Sequence, residues 1–115
     1  MSKREWKLFV EDILESLELI EKYIGGKDFE DFQDDRKTID AVVRNLEIIG
    51  EAAKFIPEEI KKKYTQIDWK GMVGLRNRIA HEYFGLSLSV IWRIINEEFK
   101  PLKKQIQKLS EETDE

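Results

Sequence analysis

Apolar side chains recur at three- and four-residue steps along most of the chain, which is the spacing of one face of an α-helix. The first such run predicts an amphipathic helix that ends at the glycine pair 25–26. Its apolar positions are Trp6, Phe9, Val10, Ile13, Leu17, Ile20 and Ile24. Residues 27–35 are polar and predict a connection, with one short helical turn anchored by Phe29 and Phe32.

The second run predicts a helix that Pro57 stops, because proline cannot continue the backbone hydrogen-bond ladder. Its apolar positions are Ile39, Val42, Val43, Leu46, Ile49, Ala53 and Ile56. Gly50 lies inside this helix, where glycine is unfavourable, so we expect a neighbouring backbone to approach it too closely for a side chain. Ile48 widens the apolar stripe and indicates a second packing surface, such as a dimer contact.

The second half of the chain predicts a short helix over 57–64, a third main helix and a last helix. The third helix has Asp68 as its N-cap and runs from Trp69 to about Tyr83. The last helix follows Ser87, reaches Leu109 and should bend at Pro101.

No segment alternates like a strand. The sequence therefore predicts an all-α, antiparallel four-helix bundle with an extra short helix, formed by one domain over residues 1–110. Residues 111–115 are rich in carboxylates and predict a disordered acidic tail.

Composition excludes several classes of protein. The chain has 115 residues and no cysteine, so it has no disulfide scaffold and no thiol nucleophile. Its N-terminus has neither a signal-peptide core nor a membrane span, from which we expect a cytoplasmic protein. The net charge is −4, yet residues 60–81 hold six Lys and Arg against one Asp, a local charge of +5. An anionic ligand would be attracted to that segment.

Within this cationic segment, residues 75–85 concentrate the groups that could carry chemistry: Arg76, Asn77, Arg78, His81 and Tyr83. An imidazole can transfer a proton near neutral pH, and a guanidinium can stabilise a phosphate that gains charge. RNA supplies its own nucleophile, the 2′-hydroxyl beside the scissile phosphate. This inventory therefore suits RNA cleavage without a metal or other cofactor.

Helical geometry limits how these groups can meet. Asn77 and His81 are four residues apart and share a face, whereas Arg76 and His81 point about 140° away from each other. Either the helix distorts near His81, or a second subunit completes the site. We favour the dimer, which also doubles the positive charge of the groove.

Each feature also has an ordinary structural interpretation. A single histidine near a helix C-terminus is more often structural than catalytic. Arg76 and Arg78 could be surface ion-pair residues, and Lys61, Lys62 and Lys63 by default form a solvated face. Composition and spacing alone leave catalysis open.

Two segments together resemble the HepT-like branch of the HEPN superfamily of small helical ribonucleases and toxins. The segment Arg76-Asn77-x-x-x-His81-x-Tyr83 resembles its Arg-x4-His-x-Tyr motif, and residues 44–54 resemble its second-helix signature. The resemblance spans nearly the whole chain.

This resemblance implies a homodimeric, metal-independent endoribonuclease that is the toxin of a toxin–antitoxin pair. His81 would transfer the proton, Arg76 would bind and stabilise the phosphate, and Asn77 would orient the substrate or His81. The antitoxin would be a minimal nucleotidyltransferase of the MntA type, which transfers AMP to Tyr83. A bulky anionic nucleotide there would block the groove that RNA needs. We further expect Arg78 and Lys70 to contact the RNA.

Two other hypotheses remain at this point. The chain could be a non-catalytic helical partner that binds a minimal nucleotidyltransferase and presents a substrate to it. It could also be a dimeric helical adaptor whose motif merely caps a helix. RNA cleavage by the isolated protein separates the ribonuclease from both.

Overall fold

The structure, a computed structural model, describes residues 2–82 and 87–112, and of residues 80–82 it describes the backbone only. The described residues form helices and no strand, so the predicted all-α fold is confirmed. In chain order the elements are α1 (Lys3–Ile24), α2 (Phe29–Gln33), α3 (Arg36–Lys54), α4 (Glu58–Lys63), α5 (Trp69–Glu82), α6 (Leu88–Arg93), a π-helical turn (Ile94–Glu98) and α7 (Phe99–Glu112).

Helix α3 lies at the centre of the packing and contacts both α1 and α5, while α1 also contacts α7. The apolar stripes predicted for the main helices face inward and form one buried core. Its largest fully buried side chains are Val10, Ile13, Ile20, Phe32, Val42, Leu46, Ile49, Ile91, Ile106 and Leu109. None of the helices within 2–82 and 87–112 combines the length and apolar character that a bilayer span requires.

Aspartate side chains cap the starts of α2, α3 and α5. Asp28 and Asp31 form a reciprocal capping box at α2, which confirms the predicted helical turn between the first two main helices. Asp68 Oδ1 accepts a hydrogen bond from the Gly71 amide at 2.9 Å, so Asp68 caps α5 as predicted. The cap by Asp68 marks where α5 begins.

Asp35 caps α3, and the hydroxyl of Thr38 donates to Asp35 Oδ2 at 2.6 Å. This hydrogen bond and one from the Thr38 amide lower the pKa of Asp35 below its ordinary value. Because the carboxylate is favoured in the folded state, its contribution to stability is present above the ordinary pKa near 3.8 and is lost as pH falls through the lowered pKa.

In Thr38→Val, which lacks the hydroxyl, we expect NMR titration of the Asp35 carboxyl carbon to show a higher pKa. An unchanged titration would contradict this cause.

The last main helix differs from the single bent helix that the sequence predicts. It consists of α6, the π-helical turn and α7, with Pro101 in the first turn of α7. Pro101 has no N–H for the carbonyl of Glu97, and its ring crowds that carbonyl, so the preceding turn widens. Pro101 therefore changes the hydrogen-bond register instead of only bending the axis.

The acidic residues near the C-terminus are described in part. Glu111 and Glu112 belong to α7, where the sequence predicts a disordered tail, and residues 113–115 lie outside the described residues. The Tyr64 hydroxyl donates a hydrogen bond of 2.5 Å to Glu112 Oε2. This bond, with partial burial, raises the pKa of Tyr64 and ties the end of α7 to the connection before α5.

Candidate active site on α5

The position of Arg76 is set where α5 crosses α3, at Gly50. A Cβ atom on Gly50 would lie 2.1 Å from Cβ of Arg76 and 2.8 Å from the carbonyl oxygen of Met72. Only a hydrogen fits there, which confirms the close approach that the sequence predicts at this glycine. The stem of Arg76 thus packs directly on the backbone of α3.

The guanidinium of Arg76 is held by two further contacts. Its Nε donates to Oε2 of Glu51 at 2.9 Å, and its Nη1 donates to Oδ1 of Asn77 at 3.3 Å. Among the described residues, these two contacts occupy two of the five N–H donors of the guanidinium. The side chain is 34% exposed, so the group is oriented by protein contacts and still reaches solvent.

Beside Arg76 lies a groove of about 370 Å³ between α1, α3 and α5, which we call the arginine groove. Phe9 and Phe55 stack on its wall with ring centroids 5.2 Å apart, and Phe55 remains 46% exposed. Ile48, predicted to belong to a second packing surface, is half-buried on the same wall. Its described lining is Phe9, Asp12, Arg44, Glu47, Ile48, Glu51, Ala52, Phe55 and Arg76.

A second stripe of α5 faces another groove, of about 760 Å³, which we call the lysine groove. At about 100° per residue, Lys70, Gly74, Asn77 and position 81 lie within roughly 60° of one another around the helix. The described lining of the lysine groove is Lys54, Glu58, Lys61, Lys62, Thr65, Gln66, Ile67, Asp68, Trp69, Lys70, Val73, Gly74 and Asn77. Asn77 therefore lies between the two grooves, since it also contacts Arg76.

Arg78 and Lys70, both predicted to bind RNA, are not brought together. They lie about 80° apart around α5, and Arg78 lines a third groove, of about 660 Å³, next to Glu97 and Glu98. Only Lys70 shares a groove with Asn77. Within one subunit Lys70 and Arg78 therefore line different grooves, and RNA binding by each of them stays a prediction.

His81 occupies a regular helical position, because α5 continues to Glu82. Its side chain, and all of Tyr83, lie outside the described residues. Without a distortion of the backbone at position 81, this position stays about 140° around the helix from Arg76. The sequence left open a distorted helix or a second subunit; the backbone of α5 is helical through Glu82, and completion of the site by a second subunit stays a prediction.

Sequence reasoning did not identify Glu51 as the partner of Arg76. The sequence contained a signal for this pair, because Glu51 directly follows Gly50. Gly50 leaves space for the side chain of Arg76, and the carboxylate of Glu51 supplies the opposite charge. Lys54, Lys61 and Lys62 were assigned to no site, since their convergence with Lys70 depends on how α4 folds back beside α5.

Comparison with known proteins gives one consistent result. The family model described as ribonuclease HepT-like matches residues 13–109. A protein from Thermococcus cleftensis named a probable ribonuclease HepT is 44% identical over 107 residues, which are 93% of this chain and 97% of that protein. A protein from Methanocaldococcus jannaschii that is assigned as an RNase is 39% identical over 107 residues, 93% of this chain and 98% of its own length.

A further relative, from Caldanaerobacter subterraneus and also assigned as an RNase, is 40% identical over 101 residues, 88% of this chain and 90% of that protein. No solved structure matches the chain significantly. These three relatives are similar in length to this chain, so the comparison with them extends over almost the whole chain.

Proposed function

The chain belongs to the HepT-like ribonuclease family, which confirms the predicted enzyme class, and on this premise we propose that it cleaves RNA internally and without a metal ion. Arg76, Asn77 and His81 are the proposed catalytic residues. The observation that carries the proposal is the guanidinium of Arg76, which Gly50, Glu51 and Asn77 orient while a third of the side chain stays exposed. Such a preorganised donor can stabilise charge that develops on a phosphate.

The reaction needs one proton acceptor and one cation. His81 removes the proton from the 2′-hydroxyl, the 2′-oxygen forms a bond to phosphorus, and the bond from phosphorus to the 5′-oxygen breaks. The leaving 5′-oxygen takes a proton from water, and the hydroxide that remains is neutralised by the proton on His81, which leaves a 2′,3′-cyclic phosphate and a 5′-hydroxyl end. Arg76 donates hydrogen bonds to the non-bridging oxygens as their charge grows.

We propose that the site is shared between two subunits of a homodimer. Because α5 is regular through Glu82, Arg76 and position 81 of one chain diverge, and a two-fold partner can bring its own Arg76 to His81. The arginine groove supports this arrangement, since its exposed wall around Phe55 and Ile48 is apolar and adjoins Arg76. A second copy would bury that wall.

The ribonuclease activity is tested by incubating the purified protein with tRNA and other RNAs in EDTA. We expect cleavage to 2′,3′-cyclic phosphate ends, and in His81→Ala a loss of about 10²- to 10⁴-fold in rate, because the proton acceptor is removed. Undiminished cleavage by His81→Ala would contradict the assigned role. No cleavage of any RNA by the wild type, in EDTA or with added divalent metal ions, would instead favour the non-catalytic partner of a nucleotidyltransferase.

We further propose that this ribonuclease is the toxin of a toxin–antitoxin pair. Its antitoxin is a minimal nucleotidyltransferase that transfers AMP from ATP to the hydroxyl of Tyr83 and releases pyrophosphate. In the sequence Tyr83 directly follows Glu82, the last residue of α5, and lies two residues after His81. The added phosphate would place negative charge and bulk at the end of the helix that carries Arg76.

The regulation is tested with labelled ATP and a minimal nucleotidyltransferase encoded next to this chain. We expect one AMP per chain in the wild type, none in Tyr83→Phe, and loss of RNA cleavage in the modified protein. The phenylalanine variant keeps the ring and lacks only the hydroxyl, so it is the matched control. Equal incorporation into Tyr83→Phe would show that another residue is modified.

A further inference from the structure

The lysine groove is built from three separate parts of the chain that converge on one surface. Lys54 ends α3, Lys61 and Lys62 lie in α4, and Lys70 lies in the first turn of α5. Four ammonium groups thus line one groove of about 760 Å³ in a chain whose net charge is −4. Convergence from three elements distinguishes this surface from the single solvated helix face that a lysine triplet usually forms.

The two carboxylates in the lysine groove neutralise little of this charge. Asp68 accepts the hydrogen bond of the Gly71 amide and so serves as the N-cap of α5. Glu58 lies 3.9 Å from Lys61 and is 79% exposed. Within residues 2–82 and 87–112, no carboxylate lies at ion-pair distance from Lys54, Lys62 or Lys70, and all three are exposed. Their charge is available to an anionic ligand.

The groove leads toward the proposed reaction site. Lys70, Gly74 and Asn77 line it, and position 81 continues the same stripe one helical turn beyond Asn77. From position 70 to position 81 the helix rises about 16 Å, a length that several nucleotides of a strand span. An extended anionic polymer suits this surface, because the four ammonium groups come from three separate elements and the stripe on α5 continues for about 16 Å from Lys70 to position 81.

On the premise of the proposed ribonuclease function, we infer that the lysine groove binds the sugar-phosphate backbone of the RNA strand beside the scissile phosphate. Lys54, Lys62 and Lys70 neutralise successive phosphates, and Asn77 marks the point where the strand leaves the groove for Arg76 and His81. The contacts are to phosphates, so the groove sets affinity and direction for the strand and does not select a base sequence.

The test is RNA binding by two triple variants, both made in His81→Ala so that no substrate is consumed. The groove variant carries Lys54→Gln, Lys62→Gln and Lys70→Gln. The matched control carries Lys22→Gln, Lys37→Gln and Lys104→Gln, three exposed lysines on α1, α3 and α7 that line none of the grooves described above. Both variants lose the same three charges, so a general effect of net charge cancels. The probe is a fluorescent single-stranded RNA 20-mer.

We expect the groove variant to bind the 20-mer about tenfold more weakly than the control at low salt. Its plot of log Kd against log salt should be shallower by about 2, because each phosphate neutralised on a single strand contributes roughly 0.7. Equal affinity and equal salt dependence of the two variants would overturn the inference.

Cleavage by the corresponding proteins with His81 intact separates this inference from the proposed function. If wild type cleaves RNA and the groove variant has an unchanged KM, the groove is wrong and the ribonuclease assignment stands. If wild type cleaves no RNA while the groove variant has lost binding, the groove is upheld and the proposed reaction fails.

Discussion

Replacing Arg76 by lysine is expected to lower kcat for RNA cleavage by roughly 10²- to 10³-fold, the usual effect of losing one oriented donor to a developing oxyanion. The positive charge is kept, so the loss would come from geometry. Lysine carries no Nε–H for Glu51 and no second nitrogen for Asn77, the two contacts that orient the guanidinium. Single-turnover rates with saturating RNA measure this effect directly.

The matched control for this substitution is Arg36→Lys. Arg36 also donates through its Nε to a carboxylate, that of Asp40 at 3.0 Å, but it lies at the start of α3 and is 74% exposed. We expect its cleavage rate to equal that of wild type. If Arg76→Lys retained the wild-type kcat, a point charge would suffice at this position, and the oriented guanidinium would have no catalytic role.

Adding one methyl group at Gly50 is expected to destabilise the fold by about 2 kcal/mol. The new Cβ would lie 2.1 Å from Cβ of Arg76 and 2.8 Å from the carbonyl oxygen of Met72. A backbone atom cannot turn away as the end of a flexible side chain can, so α5 must move off α3. We expect Gly50→Ala to lower the free energy of unfolding in urea and, by displacing Arg76 from Glu51, to lower kcat as well.

Gly74→Ala is the matched control, because Gly74 also lies inside a helix of the same pair. No described atom lies within 4 Å of a Cβ added there. We expect this variant to be as stable as wild type or up to about 1 kcal/mol more stable, since alanine favours a helix. Equal stability of Gly50→Ala and Gly74→Ala would mean that the two helices do not cross as closely as the structure shows.

The main helices could be predicted because their apolar positions keep a helical period over many residues. Glycine and proline mark where α1 and α3 end, and Asp68 marks where α5 starts. The role of Gly50 was also predictable, because a glycine inside an otherwise regular helix needs a packing reason. Local signals of this kind depend only on neighbours in the chain, which the sequence displays.

Features that depend on distant parts of the chain could not be predicted. The end of α7 is held by the hydroxyl of Tyr64, which lies 48 residues before Glu112. Lys70 and Arg78 line different grooves because different helices flank α5 on each side, which the spacing of these two residues does not show. A helix can respond to a proline by bending its axis or by widening the preceding turn. The residue pattern does not distinguish these two responses, so the π-helical turn before Pro101 could not be predicted.

The shared site is tested most directly by a mixed dimer of two inactive variants. Arg76→Ala and His81→Ala are co-expressed with different affinity tags, and the dimer that carries both tags is purified. If Arg76 of one subunit acts with His81 of the other, one of the two sites in this dimer is intact, and we expect roughly half of the wild-type cleavage activity. If both residues act within one subunit, no site is intact. A mixed dimer as inactive as its two parents would therefore contradict the account.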